Sequence, residues 1–205
     1  MNSNLEKLKE VKHIGIDLDN TLIDYSRAFR EIGQQFGFGV NETRESIRKA
    51  LRRTDGSDNL WQEFQSKLYT EGLDFAEVAS FAKTFIEFAT RENIKVSIVS
   101  HKTPTTQDRF GGLDLRTPAL LWLRKHGFTP QLIEQSEVHF TSTQQEKIEK
   151  ILGLKIEFFI DDLFEVIQGL SKSSSIKTWH FSGHSSDQNS GDFNDLVNLF
   201  GFNHA

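Results

Sequence analysis

The sequence predicts an α/β fold with a parallel sheet. Three observations carry the prediction. Short runs rich in Ile, Val and Phe recur along the chain, helical patterns fill the gaps between them, and polar residues gather where the apolar runs stop. Strands that alternate with helices imply a parallel sheet. In such sheets ligands sit beyond the carboxyl ends of the strands.

The first apolar run, residues 11–17, ends in Asp17. The second, 94–100, reads Ile-Lys-Val-Ser-Ile-Val-Ser and ends in Ser100. Residues 138–141 make a weaker third, residues 156–161 (Ile-Glu-Phe-Phe-Ile-Asp) a fourth, and residues 175–181 a fifth. Helical patterns cover 115–126, 144–152, 163–170 and 193–200. This is a Rossmann-like parallel sheet core flanked by helices. Residues 25–91 break the alternation, because no strand shows there. Apolar residues instead recur at three- and four-residue spacing: Phe29, Ile32 and Phe36; Ile47 and Leu51; Leu60, Phe64 and Leu68; Phe81, Phe85 and Phe88. Turn signals around Gly37–Gly39 and residues 55–58 separate these blocks. The expectation is a helical bundle, residues 24–91, inserted into a core of residues 1–23 and 92–205. The aromatic stripes read as bundle core.

Composition narrows the function classes. The chain has 205 residues, 37% of them hydrophobic and 26% charged, as a soluble globular protein does. It holds 18 Phe and one Met, so its cores are expected to be packed with rings. No apolar run approaches the roughly 18 residues that span a bilayer. The polar N-terminus has no signal-peptide core, and Cys is absent, which excludes thiol catalysis and disulfides. A cytoplasmic location is the expectation, with no membrane partner. A net charge of −5 argues against a nucleic-acid partner. A monomer and a homodimer both stay open.

Residues 14–22, Ile-Gly-Ile-Asp-Leu-Asp-Asn-Thr-Leu, are the most informative stretch. A buried strand that ends in Asp17 and Asp19 brings two like charges out of water, which is costly without a cation. Hard cations such as Mg²⁺ favour carboxylate oxygens and keep places for phosphate oxygens. An Asx-rich turn that caps the next helix is the competing reading. A calcium-loop reading fails, since its sixth and twelfth positions would be Leu22 and Ala28 in place of Gly and Glu.

Four polar elements follow in order: Asp17-x-Asp19-x-Thr21, then Ser100, then Lys147, then Asp161-Asp162 behind an apolar run. This order resembles the haloacid dehalogenase-like hydrolases, mostly Mg²⁺-dependent phosphatases, over about residues 11–180. The helical insertion resembles that family's type-1 cap. The resemblance implies that Asp17 is a nucleophile forming an aspartyl-phosphate. It implies that Asp19 protonates the leaving oxygen and later deprotonates water. Mg²⁺ would sit among Asp17, the Asp19 carbonyl and Asp161. Ser100 and Lys147 would hold phosphoryl oxygens, with Thr21 near the substrate. Asp162 is either a second metal-linked carboxylate or a holder for Lys147.

Each assignment has a plainer counterpart. Ser100 could simply end a strand, Lys147 lies in a charged helical stretch with Lys150 as competitor, and Asp161-Asp162 could cap the following helix. The seven His residues show no two-ligand spacing. After Ser100 a long polar loop runs to Arg116, and His101, Lys102 and Arg109 in it either contact substrate or face solvent. In the insertion, Tyr25, Arg27, Arg30, Arg48, Arg52 and Arg53 are further candidates to meet an anionic substrate.

An acid at position 19 is what the family's phosphatases and phosphomutases carry, and its dehalogenating members lack it. The leading expectation is therefore hydrolysis of a small phosphorylated metabolite, a sugar phosphate or a nucleotide. A phosphomutase, and a catalytically weak binding or regulatory protein of the same fold, are the alternatives. A phosphoacceptor signalling domain is disfavoured, because its phosphorylated Asp lies on a middle strand of the sequence.

Overall fold

The computed structural model describes residues 10–54, 58–173, 175–182 and 190–201. They fall into two compact units. The first draws on Met1–Ile23, Val78–Lys102 and Arg124–Ala205, the second on Asp24–Glu77 and Thr103–Leu123.

The first unit is built on a six-stranded sheet. Its strands are β1 (His13–Ile16), β4 (Lys95–His101), β5 (Val138–Thr141), β6 (Phe158–Asp161), β7 (Lys177–Phe181) and β8 (Ser190–Gly191). They lie in the order β5-β4-β1-β6-β7-β8, and every pairing is parallel. The α/β expectation therefore holds, as does the Rossmann-like parallel core. β1 lies inside the sheet with all four residues buried, which is why residues 14–16 read as an apolar run. Ile16 is level with Ile98 of β4 on one side and Ile160 of β6 on the other. The next residue, Asp17, thus emerges beside Asp161.

Gly15 makes this close packing possible. A Cβ placed there would lie 2.6 Å from Cδ2 of Phe159 and 2.7 Å from Cδ1 of Ile156. The missing side chain lets the Phe159 ring, itself fully buried, fill the core between β1 and α6 (Gln144–Gly153) and α7 (Phe164–Ser173), where Val99, Ile151, Val166 and Leu170 meet it. At the other end of β1, His13 is buried and its Nε2 lies 2.8 Å from the Ser97 hydroxyl. Burial pushes this imidazole below its usual range. It ties β1 to β4 as a structural group.

Two expectations about residues 24–91 need correction. A short strand does occur there: β3 (Glu77–Val78) pairs with β2 (Ile23–Asp24). Two-residue strands are too short to show a period. The last helix, α4 (Ala82–Arg91), belongs to the first unit, and its apolar face differs from the one expected. Ala82, Phe85, Ile86 and Ala89 are buried, whereas Phe81 is half exposed. Phe85 packs edgewise on Phe200 at 5.6 Å and meets Phe193 of α8 (Phe193–Leu199) at 5.7 Å. Partners more than 100 residues away decide where this helix docks.

The second unit holds α1 (Ser26–Gln35), α2 (Arg44–Thr54), α3 (Asn59–Leu68) and most of α5 (Arg116–Lys125). Its core is aromatic. Trp61 stacks on Phe64 at 5.6 Å and Phe29 meets Phe64 at 4.7 Å. The segment 103–123 joins this unit through a hydrogen bond from Trp122 Nε1 to the Ala76 carbonyl and through Arg109, which donates to Asn59 and Gln62. The polar loop is folded on itself, with Thr106 N–H bonded to Leu113 O and Leu115 N–H to Pro104 O. No described helix is long and apolar enough to cross a membrane.

Gly15→Ala is expected to destabilise the protein by about 1–3 kcal/mol, since a methyl there overpacks the Phe159 ring. Urea unfolding measures this. A loss below a few tenths of a kcal/mol would mean that the contact relaxes freely.

Candidate active site

The turn after β1 aims the first two acids. The Leu18 carbonyl accepts the N–H groups of Leu22 and Ile23 at 3.0 and 2.9 Å, which folds the chain sharply back. Asn20 sits in the left-handed region at φ 62°, a conformation that Asn tolerates better than most residues. Asp17 is anchored at its backbone, donating its N–H to Ile160 O at 2.9 Å. The Thr21 hydroxyl, fully buried, donates to Asp17 Oδ2 at 3.5 Å.

Lys147 reaches the same place from α6. Thr143 caps that helix by accepting the Glu146 N–H, and the Glu146 carboxylate accepts the Ser142 N–H at 2.8 Å. This fixes the helix start one turn before Lys147. The Lys147 side chain is 1% exposed and its Nζ lies 2.5 Å from Asp17 Oδ1 and 2.6 Å from Asp161 Oδ2. Lys150, the competing candidate, is exposed. The Thr-x-x-Glu signature before an apolar-periodic helix was the available signal for this choice.

Asp161 ends β6 and is fully buried. Its Oδ1 accepts the Leu163 N–H at 2.9 Å, an Asx turn that leads into α7 one residue before the helix begins. Its Oδ2 makes the ion pair with Lys147 at 2.6 Å. Asp162 is half-buried, and its carbonyl lies 3.1 Å from His180 Nε2. The carboxylates of Asp17, Asp161 and Asp162 offer oxygens all within 4.8 Å of one another.

A second buried ion pair stands beside the first. Lys102 Nζ lies 2.8 Å from Asp19 Oδ2, with side chains only 2% and 14% exposed. The Lys102 backbone donates to Thr141 O at 2.9 Å. Ser100, on β4, is 1% exposed. The sequence marks Lys102 as a loop residue that contacts substrate or solvent. Its pairing with Asp19 is visible only in three dimensions.

Two candidates lie elsewhere. His101 is exposed, its ring 3.0 Å from the Ser142 carbonyl. Arg109 belongs to the second unit, hydrogen-bonded to Asn59 and Gln62 and lying over the Phe110 ring. Of the arginines in the insertion, Arg48 lies over Trp61, and Arg27 and Arg52 pair with Glu77 and Asp58.

Electrostatics follow from burial. Desolvation pushes the Asp17 carboxyl well above the usual carboxylate range; the Lys147 ammonium opposes this, and Asp161 and Asp162 add to it. Desolvation alone would lower Lys147, but the Asp17 and Asp161 carboxylates outweigh it and hold the ammonium charged, above its ordinary value. Four acids, Asp17, Asp19, Asp161 and Asp162, meet two ammoniums, Lys102 and Lys147. Fully ionised, the cluster carries 2 − 4 = −2. Oxygens of three carboxylates within 4.8 Å of one another, in a cluster of that charge, fit a hard divalent cation.

No family profile matches the sequence. No curated protein matches it. Solved structures do match by shape. A HAD-superfamily hydrolase from Ehrlichia chaffeensis is 20% identical, covers 94% of this chain and 97% of its own, and superposes with a TM-score of 0.56. A HAD-superfamily hydrolase of subfamily IA from Geobacter sulfurreducens is 13% identical, covers 93% and 97%, and gives 0.58. Protein Tyrosine Kinase A of Mycobacterium tuberculosis is 13% identical, covers 93% and 98%, and gives 0.64. At such identities the likeness is one of fold: the chain folds as haloacid dehalogenase-like hydrolases do.

Lys147→Met keeps the volume and removes the charge, leaving buried acids uncompensated, and should cost about 3–5 kcal/mol at neutral pH. Without the ammonium the carboxyls bind protons more tightly folded than unfolded. Their contribution is then favourable in acid and is lost as pH rises. The deficit should therefore shrink as pH falls from 7 towards 5. Chemical unfolding at both pH values tests this, and an equal deficit at each would reject the charge explanation.

Proposed function

We propose that the chain is a Mg²⁺-dependent phosphatase acting on a small phosphorylated metabolite through an aspartyl-phosphate on Asp17. The observation that carries this reading is the convergence of Asp17, Asp161 and Lys147 at the carboxyl ends of adjacent strands, with Asp19 paired beside them. The two hydrolases share the fold, and Protein Tyrosine Kinase A shares it too. The chemistry is therefore argued from the side chains.

A carboxylate is a competent nucleophile towards phosphorus only when ionised, and burial works against that in Asp17. Mg²⁺ held by Asp17, Asp161 and Asp162 would supply the positive charge that keeps Asp17 ionised and offsets the incoming phosphate. Lys147, already charged, would hold one phosphoryl oxygen, and the buried Ser100 hydroxyl would donate to another. In the first step an Asp17 oxygen bonds to phosphorus and the ester P–O bond breaks. Asp19, protonated as the substrate's phosphate dianion enters beside it, gives that proton to the departing alkoxide. In the second step Asp19 takes a proton from water, whose oxygen bonds to phosphorus as the Asp17 P–O bond breaks. Phosphate leaves, and both acids return to their starting forms. Lys102 would hold Asp19 in place through this exchange.

Phosphate release from p-nitrophenyl phosphate, sugar phosphates and nucleoside monophosphates tests the reading. Asp17→Asn should lower turnover by at least about 10³-fold with an unchanged circular dichroism spectrum, since it removes the nucleophile. A chelator should silence the wild type until Mg²⁺ is added. Turnover in Asp17→Asn, or activity in chelator, overturns the proposal.

Asp19→Asn should slow alkyl phosphates by about 10²–10⁴-fold, the usual worth of a positioned acid. Activated aryl phosphates, whose leaving groups need no proton, should be slowed far less. Lys102→Met should show the same leaving-group pattern more weakly. Uniform slowing of both substrate types would remove Asp19 from proton transfer.

A further inference from the structure

Asp161, Asp162 and His180 meet around one peptide group at the carboxyl end of the sheet. The planar peptide between Asp162 and Leu163 carries a carbonyl on one side and an N–H on the other. The Leu163 N–H goes to Asp161 Oδ1 at 2.9 Å. The Asp162 carbonyl lies 3.1 Å from His180 Nε2. A carbonyl oxygen only accepts, so the imidazole donates, which puts a proton on Nε2. The peptide is thus held at both ends, by a carboxylate and by an imidazole.

The fold brings His180 here for local reasons. β6 and β7 run parallel, with Asp161 level with His180. Side chains alternate along a strand, so Thr178 and His180 share one face of β7. The Thr178 hydroxyl lies 3.2 Å from that of Ser171 in α7, so this is the face that α7 covers. His180 therefore meets the start of that helix, where Asp162 leads into it. Phe164, the first residue of α7, stands edgewise to the imidazole, with centroids 5.7 Å apart and planes at 71°. The ring restrains the imidazole from turning away from the carbonyl.

Hydrogen bonds in a chain polarise one another. When His180 donates to the Asp162 carbonyl, the N–H at the other end of that peptide becomes a stronger donor to Asp161 Oδ1. With Oδ1 held there, Oδ2 stays on the Lys147 side, 2.6 Å from the ammonium. The same grip fixes the backbone from which the Asp162 side chain springs. Asp161 and Asp162 are two of the three acids whose oxygens lie within 4.8 Å of one another. One imidazole, acting through the backbone, bears on both.

We propose that His180 is a positioning residue for this cation site. It orients Asp161 and Asp162 through the 162–163 peptide before an ion arrives. Ligands already oriented lose less freedom on binding, and outer partners of metal ligands are worth about 10–100-fold in affinity. The role rests on the metal site of the phosphatase reading and adds to it a residue outside the four acids.

Mn²⁺, a hard cation that also favours oxygen ligands, is the probe. Its binding to the metal-free full chain is read from the electron-paramagnetic-resonance signal of the free ion, with no turnover involved. The wild type should bind Mn²⁺ that Mg²⁺ displaces. His180→Phe keeps a ring and removes the donor, and should weaken Mn²⁺ by about 10–100-fold. His180→Gln keeps an amide N–H near the Nε2 position and should recover much of that loss, which a space-filling role would not produce. Long-range ¹H–¹⁵N spectra of the wild-type imidazoles, with His180 identified by its absence in His180→Gln, should show a proton on Nε2. They keep the test valid if His180→Phe melts early. Wild-type affinity in a folded His180→Phe, equal losses in the two variants, or an unprotonated Nε2 overturns the role of His180 alone. A wild type that binds no Mn²⁺ overturns the metal reading together with it.

Discussion

One ammonium between two carboxylates is the constraint on which the rest depends. Lys147 lies 2.5 Å from Asp17 and 2.6 Å from Asp161, all three withdrawn from water. No member could be buried alone, because each isolated charge would cost several kcal/mol. Together they require β1 and β6 to be neighbours in register and α6 to begin where Thr143 caps it. The sheet order, the helix cap and the glycine that lets Phe159 close the core all serve that requirement.

The arrangement is not optimised for stability. Two ammoniums face four acids, and Asp17 is held as a carboxyl that resists ionisation. A protein interior that tolerates residual negative charge keeps room for something positive. Perturbed, clustered groups at strand ends are where binding and chemistry are found. Lys102 and Lys147 divide the acids: one ammonium pairs with Asp19, the other lies between Asp17 and Asp161.

The two units spend their aromatic residues differently. In the first, Phe85, Phe193 and Phe200 fasten α4 and α8, and Phe159 fills the space over Gly15. In the second, Phe29, Trp61 and Phe64 form a compact ring cluster under α1 and α3.

Much was legible along the chain. Strands buried inside a parallel sheet are largely apolar, so β1, β4 and β6 announced themselves and the edge strand β5 only weakly, and the acids after β1 and at the end of β6 marked Asp17, Asp19 and Asp161 as a candidate site. The two-residue strands β2 and β3 were not legible, because they are shorter than the pattern that would reveal them. Nor was the allegiance of α4, or of residues 103–123, since an amphipathic face says that it will be buried but not against what. Sequence alone determined the parallel α/β core and the kinds of charge at its strand ends, because side-chain periodicity and local capping are written within a few residues. Tertiary structure alone decided that Lys147 joins Asp17 and Asp161, that Lys102 takes Asp19, and that Arg109 turns to Asn59 and Gln62. Ion-pair partners are chosen by distance in space, and residues 17, 147 and 161 come within reach only when the sheet has formed.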